Sequence, residues 1–157
     1  MDHVAGAELA WACSQAGHST LRFNFRGVGA SQGLQGDTAA CLDYIRAALK
    51  VLRETVAHER VAVAFLGASS QFVAPLSQAD GNLAGFVCVC PDNALALPEG
   101  VPLLALVPEM ERAVRDTPWV RELSSTGVVE LIAGADKTFQ CGLPFVGRRA
   151  AAFLGRL

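Results

Sequence analysis

Residues Leu21 to Gly33 read LRFNFRGVGASQG. In the first half Leu21, Phe23 and Phe25 alternate with Arg22 and Asn24, the period-two spacing of a strand. The second half breaks into Gly27, Gly29 and Gly33, residues that supply positive φ in a tight turn. A strand running into glycines is also how dinucleotide and nucleotide sites begin. The dinucleotide version needs G-x-G-x-x-G opening directly into a helix, with an acid about 20 residues further on. Here the spacing is G-x-G-x-x-x-G, with Gln32 in the place of the third glycine. The Gly-Lys-Ser/Thr that closes a nucleotide P-loop is absent. The loop therefore reads as a turn, and no cofactor is expected.

Outward from this stretch, strands and helices alternate. Before it, Val4 to about Ala16 forms an Ala-rich helix, with Asp2 as its N-cap and Gly17 where a left-handed residue closes helices. After it, Asp37 caps a second helix in which Cys41, Ile45, Ala48, Leu49, Leu52 and Val56 recur at three- and four-residue steps. RVAVAFLG, Arg60 to Gly67, is a short continuous apolar run, the pattern of a strand covered on both faces and placed mid-sheet. A short helix (Gln71 to Gln78), a strand (Leu83 to Cys90), a proline-rich connection and a strand (Val101 to Val107) follow. The chain then continues with a helix from Arg112 to Leu123, a strand from Val128 to Ile132 and a final helix near Leu143 to Leu154. Such alternation predicts one α/β domain over residues 1–157, with a mainly parallel sheet of about five strands and helices on both faces.

Composition narrows the function. Of the 157 residues 52% are hydrophobic and 18% charged, which suits a globular core, and the net charge of −2 comes with no basic block. Nucleic acid is a poor partner for such a surface. No apolar run approaches the roughly 18 to 20 residues that span a bilayer, and the N-terminus lacks the basic region of a signal peptide. The expectation is a cytoplasmic protein without a membrane partner. Of the five cysteines, Cys13, Cys41, Cys88 and Cys90 sit in apolar patterns, which favours small hydrophobes over disulfides. Cys88 and Cys90 form C-x-C without a second pair or a histidine at zinc spacing, so no metal is expected.

One resemblance fits more of the opening stretch than any turn rule does. NFRGVGAS, Asn24 to Ser31, is similar to the D-x-R-G-x-G-x-S loop after the fourth strand of many α/β-hydrolases. The longer LRFNFRGVGASQG resembles a small bacterial serine-hydrolase-like branch of that superfamily. The resemblance makes Arg26, Gly27, Gly29 and Ser31 a structural loop beside the site. It implies a nucleophile elbow after the next strand, and GASSQ, Gly67 to Gln71, stands there. Ser69 takes the nucleophile position, and the Ser70 backbone N–H that of one oxyanion donor. Gln71 replaces the second glycine of the elbow.

The acid position aligns with Glu111, in LLALVPEMERAVR, and Pro108 there replaces a glycine. The base position, in VVELIAGADKTF, holds Lys137 where the branch has histidine. Read without the resemblance, Ser69 is a helix-capping serine and Glu111 a solvated acid in a first helical turn. Lysine is protonated near its ordinary pKa of about 10.4 and cannot accept a serine proton unless burial lowers that value by several units. His3, His18 and His58 read as surface turn residues.

The branch's first three strands and its histidine-, proline- and glycine-rich oxyanion loop have no counterpart here. The resemblance places the third strand between the fourth and fifth, so Thr20–Phe25 and Arg60–Leu66 would stand two strand spacings apart, roughly 10 Å. The gap implies an upstream segment of a longer gene, direct closure of the two strands, or a strand from another chain; the first is the primary expectation. The overall expectation is a reduced α/β-hydrolase fold and a degenerate homologue with little or no hydrolase activity. The alternatives are an active hydrolase acting on a small ester or amide-like substrate through acyl-Ser69, and a scaffold whose open sheet edge is covered by itself or a partner.

Overall fold

The computed structural model describes residues 3–34, 36–57, 60–126 and 128–157. Its elements are helix α1 (Val4–Gln15), helix α2 (Thr38–Val56), strand β1 (Val61–Leu66), a 3-10 helix (Gly67–Phe72), and helix α3 (Val73–Ala79). Strands β2 (Leu83–Val89) and β3 (Leu103–Pro108), helices α4 (Arg112–Arg115) and α5 (Pro118–Ser124), strand β4 (Val129–Ile132) and helix α6 (Leu143–Leu154) follow. The strands lie in the order β1-β2-β3-β4, with every neighbouring pair parallel. This is the α/β class expected from the alternation. Among the described residues no helix is long and apolar enough to cross a membrane.

Local chemistry sets the helix ends. Asp37 Oδ1 accepts the Ala40 N–H and starts α2. The cap of α1 involves His3, whose Nδ1 accepts the Ala5 N–H; the expected cap, Asp2, lies outside the described residues. At the other end of α1, Gly17 N–H bonds the Ser14 carbonyl and His18 N–H the Cys13 carbonyl, with Gly17 at φ +88. That pair of bonds is the Schellman motif that a left-handed glycine permits. The single helix expected over Arg112 to Leu123 is broken into α4 and α5, because Pro118 lacks the N–H to continue α4 and instead begins α5 at its first position.

The sheet has helices on both faces. A Cβ on Gly85 of β2 would lie 2.7 Å from Leu157 and 3.5 Å from Phe153, so that face of β2 carries the end of α6. The next residue, Phe86, points oppositely and stacks on Phe65 at 6.0 Å, and Phe65 in turn meets Phe72 of the 3-10 helix. α1 packs on α6 so closely that a Cβ on Gly147 would come within 2.8 Å of Ala12 Cβ. On the other side, Arg53 of α2 grips Asp80, just after α3, through two hydrogen bonds of 2.8 and 3.1 Å.

Two sheet expectations need correcting. Thr20–Phe25 is not a strand: Phe23 and Phe25 keep the same-side contact of an alternating segment, with rings 5.4 Å apart, but the segment joins no ladder with the described strands. β1 is consequently an edge strand and not a central one, and the sheet has four described strands where about five were expected. The cause is visible in the burial. β2 and β3 are buried almost throughout, whereas Ala62 and Val63 of β1 are only partly covered and Ala64 is exposed. Alternating and apolar patterns report faces, but a strand also needs a neighbour for its N–H and C=O groups.

Candidate functional site

The candidate residues gather at the carboxyl ends of the parallel strands, where ligands bind in open α/β sheets. The turn after β1 carries Ser69 and Ser70. Gly67 opens it at φ +56, a left-handed conformation that glycine adopts without strain. Ser69 is not among the left-handed residues, so the turn lacks the strained serine apex of a nucleophile elbow. It continues as a 3-10 helix instead. That geometry points Gln71 into solvent and drives Phe72, 3% exposed, into the core against Phe25 and Phe65.

Both serine hydroxyls are occupied by their own turn. Leu66 N–H donates to Ser69 Oγ at 3.0 Å, and Ser69 O–H donates to the Leu66 carbonyl at 2.8 Å. Ser70 O–H donates to the Gly67 carbonyl at 2.8 Å. In a 3-10 helix the N–H of residue i also faces the carbonyl of i−3, which for Ser70 is again Gly67.

Across from the turn, the end of β2 contributes residues that sequence reasoning did not select. Cys90 is left-handed at φ +46, and the buried Pro91 ends the strand, after which Asp92 and Asn93 come back over the serine turn. Asn93 Nδ2 donates to the Ala68 carbonyl at 3.3 Å, and a Cβ on Gly67 would lie 3.3 Å from Asp92 Oδ2. The signal that could have found them is position, since CPDN follows a parallel strand immediately.

The acid and base positions reach the same region. Burial pushes the Cys90 thiol up to about 11, helped by the carboxylates of Asp92 and Glu111, while Lys137 pulls it down. Asp92, Glu111 and Lys137 thus all act on the end of β2. Glu111 is half-buried at the entrance to α4, where its side chain makes no capping bond. Lys137 is exposed. Its neighbour Asp136 is held below the usual carboxylate range by the Thr138 hydroxyl and backbone N–H, so it serves a turn. Glu109 is also structural, accepting the Gly134 N–H at 2.9 Å and tying the β3 and β4 loops together. Among the described residues no group of three or more His, Cys, Asp or Glu side chains could hold a metal.

The loop of Arg26, Gly27, Gly29 and Ser31 is a pair of tight turns. Gly27 and Gly29 are left-handed, Val28 N–H bonds the Phe25 carbonyl, and Ser31 N–H bonds the Val28 carbonyl. Arg26 lies back across Gly33. Next to this loop is a cavity of about 620 Å³, bounded by α1, α2, residues 20–25 and β1, and reaching Ser69. His3 and His18 line it, but both hydrogen bonds of the Ser69 hydroxyl go to Leu66. His58 lies outside the described residues.

The parallel sheet flanked by helices, with a small-residue turn after β1 and acidic loops after β2 and β3, is an α/β fold that matches solved structures of the α/β-hydrolase type. Two solved structures share it. A protein of unknown function from Agrobacterium tumefaciens, described as a candidate α/β hydrolase, superposes with a TM-score of 0.78 at 20% identity, over 99% of this chain and 78% of that one. An α/β serine hydrolase homologue from Coxiella burnetii superposes with a TM-score of 0.79 at 20% identity, over 98% of this chain and 77% of that one. No protein-family model and no curated protein matches the chain.

Proposed function

We propose that this chain is a degenerate relative of the serine hydrolases that keeps the fold and has little or no hydrolase activity. The observation that carries the reading is the Ser69 hydroxyl. Its one proton is donated to the Leu66 carbonyl and its oxygen accepts the Leu66 N–H, so it closes a turn and has no base to activate it. Lys137, at the position where the resemblance calls for a histidine base, is exposed to solvent and is no hydrogen-bond partner of Ser69 Oγ, whose bonds go to Leu66. Ser70 N–H, the expected oxyanion donor, belongs to the same inward-directed turn. Loss of a triad base and of oxyanion donors each costs several powers of ten in turnover.

The test is a fluorophosphonate probe with purified protein, alongside hydrolysis of p-nitrophenyl acetate. No labelling and no turnover above the Ser69→Ala variant are expected. Labelling that disappears in Ser69→Ala would overturn the proposal and restore acyl-Ser69 hydrolysis of a small ester or amide.

A further inference from the structure

We propose that the peptide bond between Asp80 and Gly81, in the turn from α3 to β2, is a site of aspartate isomerisation that Arg53 of α2 keeps closed. Of the seven aspartates only Asp80 is followed by glycine, and no asparagine is. The reaction begins with attack of the Gly81 amide nitrogen on Asp80 Cγ. The N–Cγ bond forms, the Cγ–OH bond of the neutral acid breaks, and the hydroxyl leaves with the amide proton as water. Water then adds back to the succinimide. Cleavage of N–Cγ restores aspartate, whereas cleavage of the original N–C bond leaves the main chain running through Cγ as isoaspartate. Glycine obstructs the attack least, having no Cβ, and a Cβ on Gly81 would meet nothing within 4 Å. Gly81 is also exposed, so water reaches the bond.

The hold on the carboxyl opposes the reaction. Arg53 Nη1 donates to Asp80 Oδ2 at 2.8 Å and Nη2 to Oδ1 at 3.1 Å, a two-atom fork on a side chain only 15% exposed. Asn82 N–H donates to Oδ1 at 3.0 Å, which turns the carboxyl towards the amide one residue beyond Gly81. The Arg53 bonds also hold the group below the usual carboxylate range, and so shrink the fraction present as the neutral acid that can release water. Ring closure therefore waits for the fork to open. Isomerisation would insert a methylene into the main chain just ahead of Asn82, whose carbonyl accepts Arg53 Nη2 at 3.2 Å and Val61 N–H at 3.4 Å. The extra atom displaces the point where α2, β1 and β2 are joined, so a chain that has reacted does not close the fork again.

The experiment incubates the intact chain and its variants at pH 6, beside the unaltered chain in denaturing urea, and counts isoaspartate at residue 80 by electron-transfer mass spectrometry. The folded, unaltered chain is expected to react far more slowly than the urea-unfolded one. Arg53→Gln is expected to react at least about tenfold faster than the unaltered chain, the change in open population that loss of one hydrogen bond to a charged group produces. Arg53→Lys keeps the charge and loses the fork; it is expected to fall between the two, and it decides if Arg53→Gln does not fold. Adding Gly81→Ala to Arg53→Gln is expected to slow the reaction again. Gly142→Ala lowers stability without touching the fork and is expected to leave the rate near that of the unaltered chain. Equal rates for the folded and urea-unfolded chains overturn the proposal. So do Arg53 variants no faster than the unaltered chain, a rate that Gly81→Ala does not slow, or Gly142→Ala reacting as fast as Arg53→Gln, which would assign the protection to folding as a whole.

Discussion

Replacing Ser69 with alanine separates a turn-closing serine from a nucleophile. The hydroxyl makes two hydrogen bonds to Leu66, of 3.0 and 2.8 Å, inside a half-buried turn. Each such bond contributes about 0.5–1.5 kcal/mol net, and water can reach part of this turn, so their joint loss should cost about 1–2 kcal/mol. The cost is real because Leu66 N–H points away from β2 and has no ladder to return to. For a domain of this size each kcal/mol lowers Tm by about 2–4 °C, which gives a fall of about 2–8 °C. Thermal unfolding followed by circular dichroism measures the shift, and the fluorophosphonate probe is run on the same samples. The expected pair of results is a lower Tm and unchanged, negligible labelling. A Tm unchanged within 1 °C together with loss of Ser69-dependent labelling would refute the reasoning, because a hydroxyl free to react is one that the turn does not need.

Lys137→His should add no measurable esterase activity, since Ser69 would still be closed on Leu66; turnover rising above that of Ser69→Ala would contradict this. The two guanidinium bonds from Arg53 hold the Asp80 carboxyl below the usual carboxylate range, so Asp80 stabilises the fold above its unfolded pKa of about 3.9. That stabilisation is lost as pH falls through the lower folded value, and Asp80→Asn should flatten urea-midpoint curves in this acid window. Gly142→Ala should destabilise by about 2–4 kcal/mol, because the position is left-handed at φ +84 and the new Cβ would lie 2.6 Å from Ile132 Cγ2. Urea unfolding measures that loss. Titration with a thiol reagent at pH 8 should find Cys141 reacting at once and the other four thiols slowly. Cys141 is exposed and the rest are buried, with burial pushing the Cys88 thiol up to about 12.

Where one residue's chemistry decides local structure, the sequence was legible. Asp37 announces α2, Gly17 ends α1, and the uninterrupted apolar runs of β2 and β3 are buried as such runs must be. Pairing was not legible. Leu21, Phe23 and Phe25 alternate correctly, yet whether they join a ladder depends on a neighbour that their own pattern cannot specify. At the site, the positions of Ser69 and Ser70 after β1 could be read from small residues following a strand. The direction of the hydroxyls could not, because a 3-10 continuation rather than an elbow follows from how Phe72 packs against Phe25 and Phe65. Asp92 and Asn93 were missed because their approach to the serine turn is a contact between loops that lie 25 residues apart in the chain.

The Ser69 hydroxyl and the base position fail for separate reasons. A catalytic group must be held to about 0.5 Å, and the turn bearing Ser69 hangs from the end of β1, which among the described strands is paired on one side only. A stiffer β1 would still leave the hydroxyl donating to the Leu66 carbonyl and accepting the Leu66 N–H. Its hydrogen-bonding capacity is spent inside the turn, so firmer support for the strand would add stability to the serine turn without creating a nucleophile there.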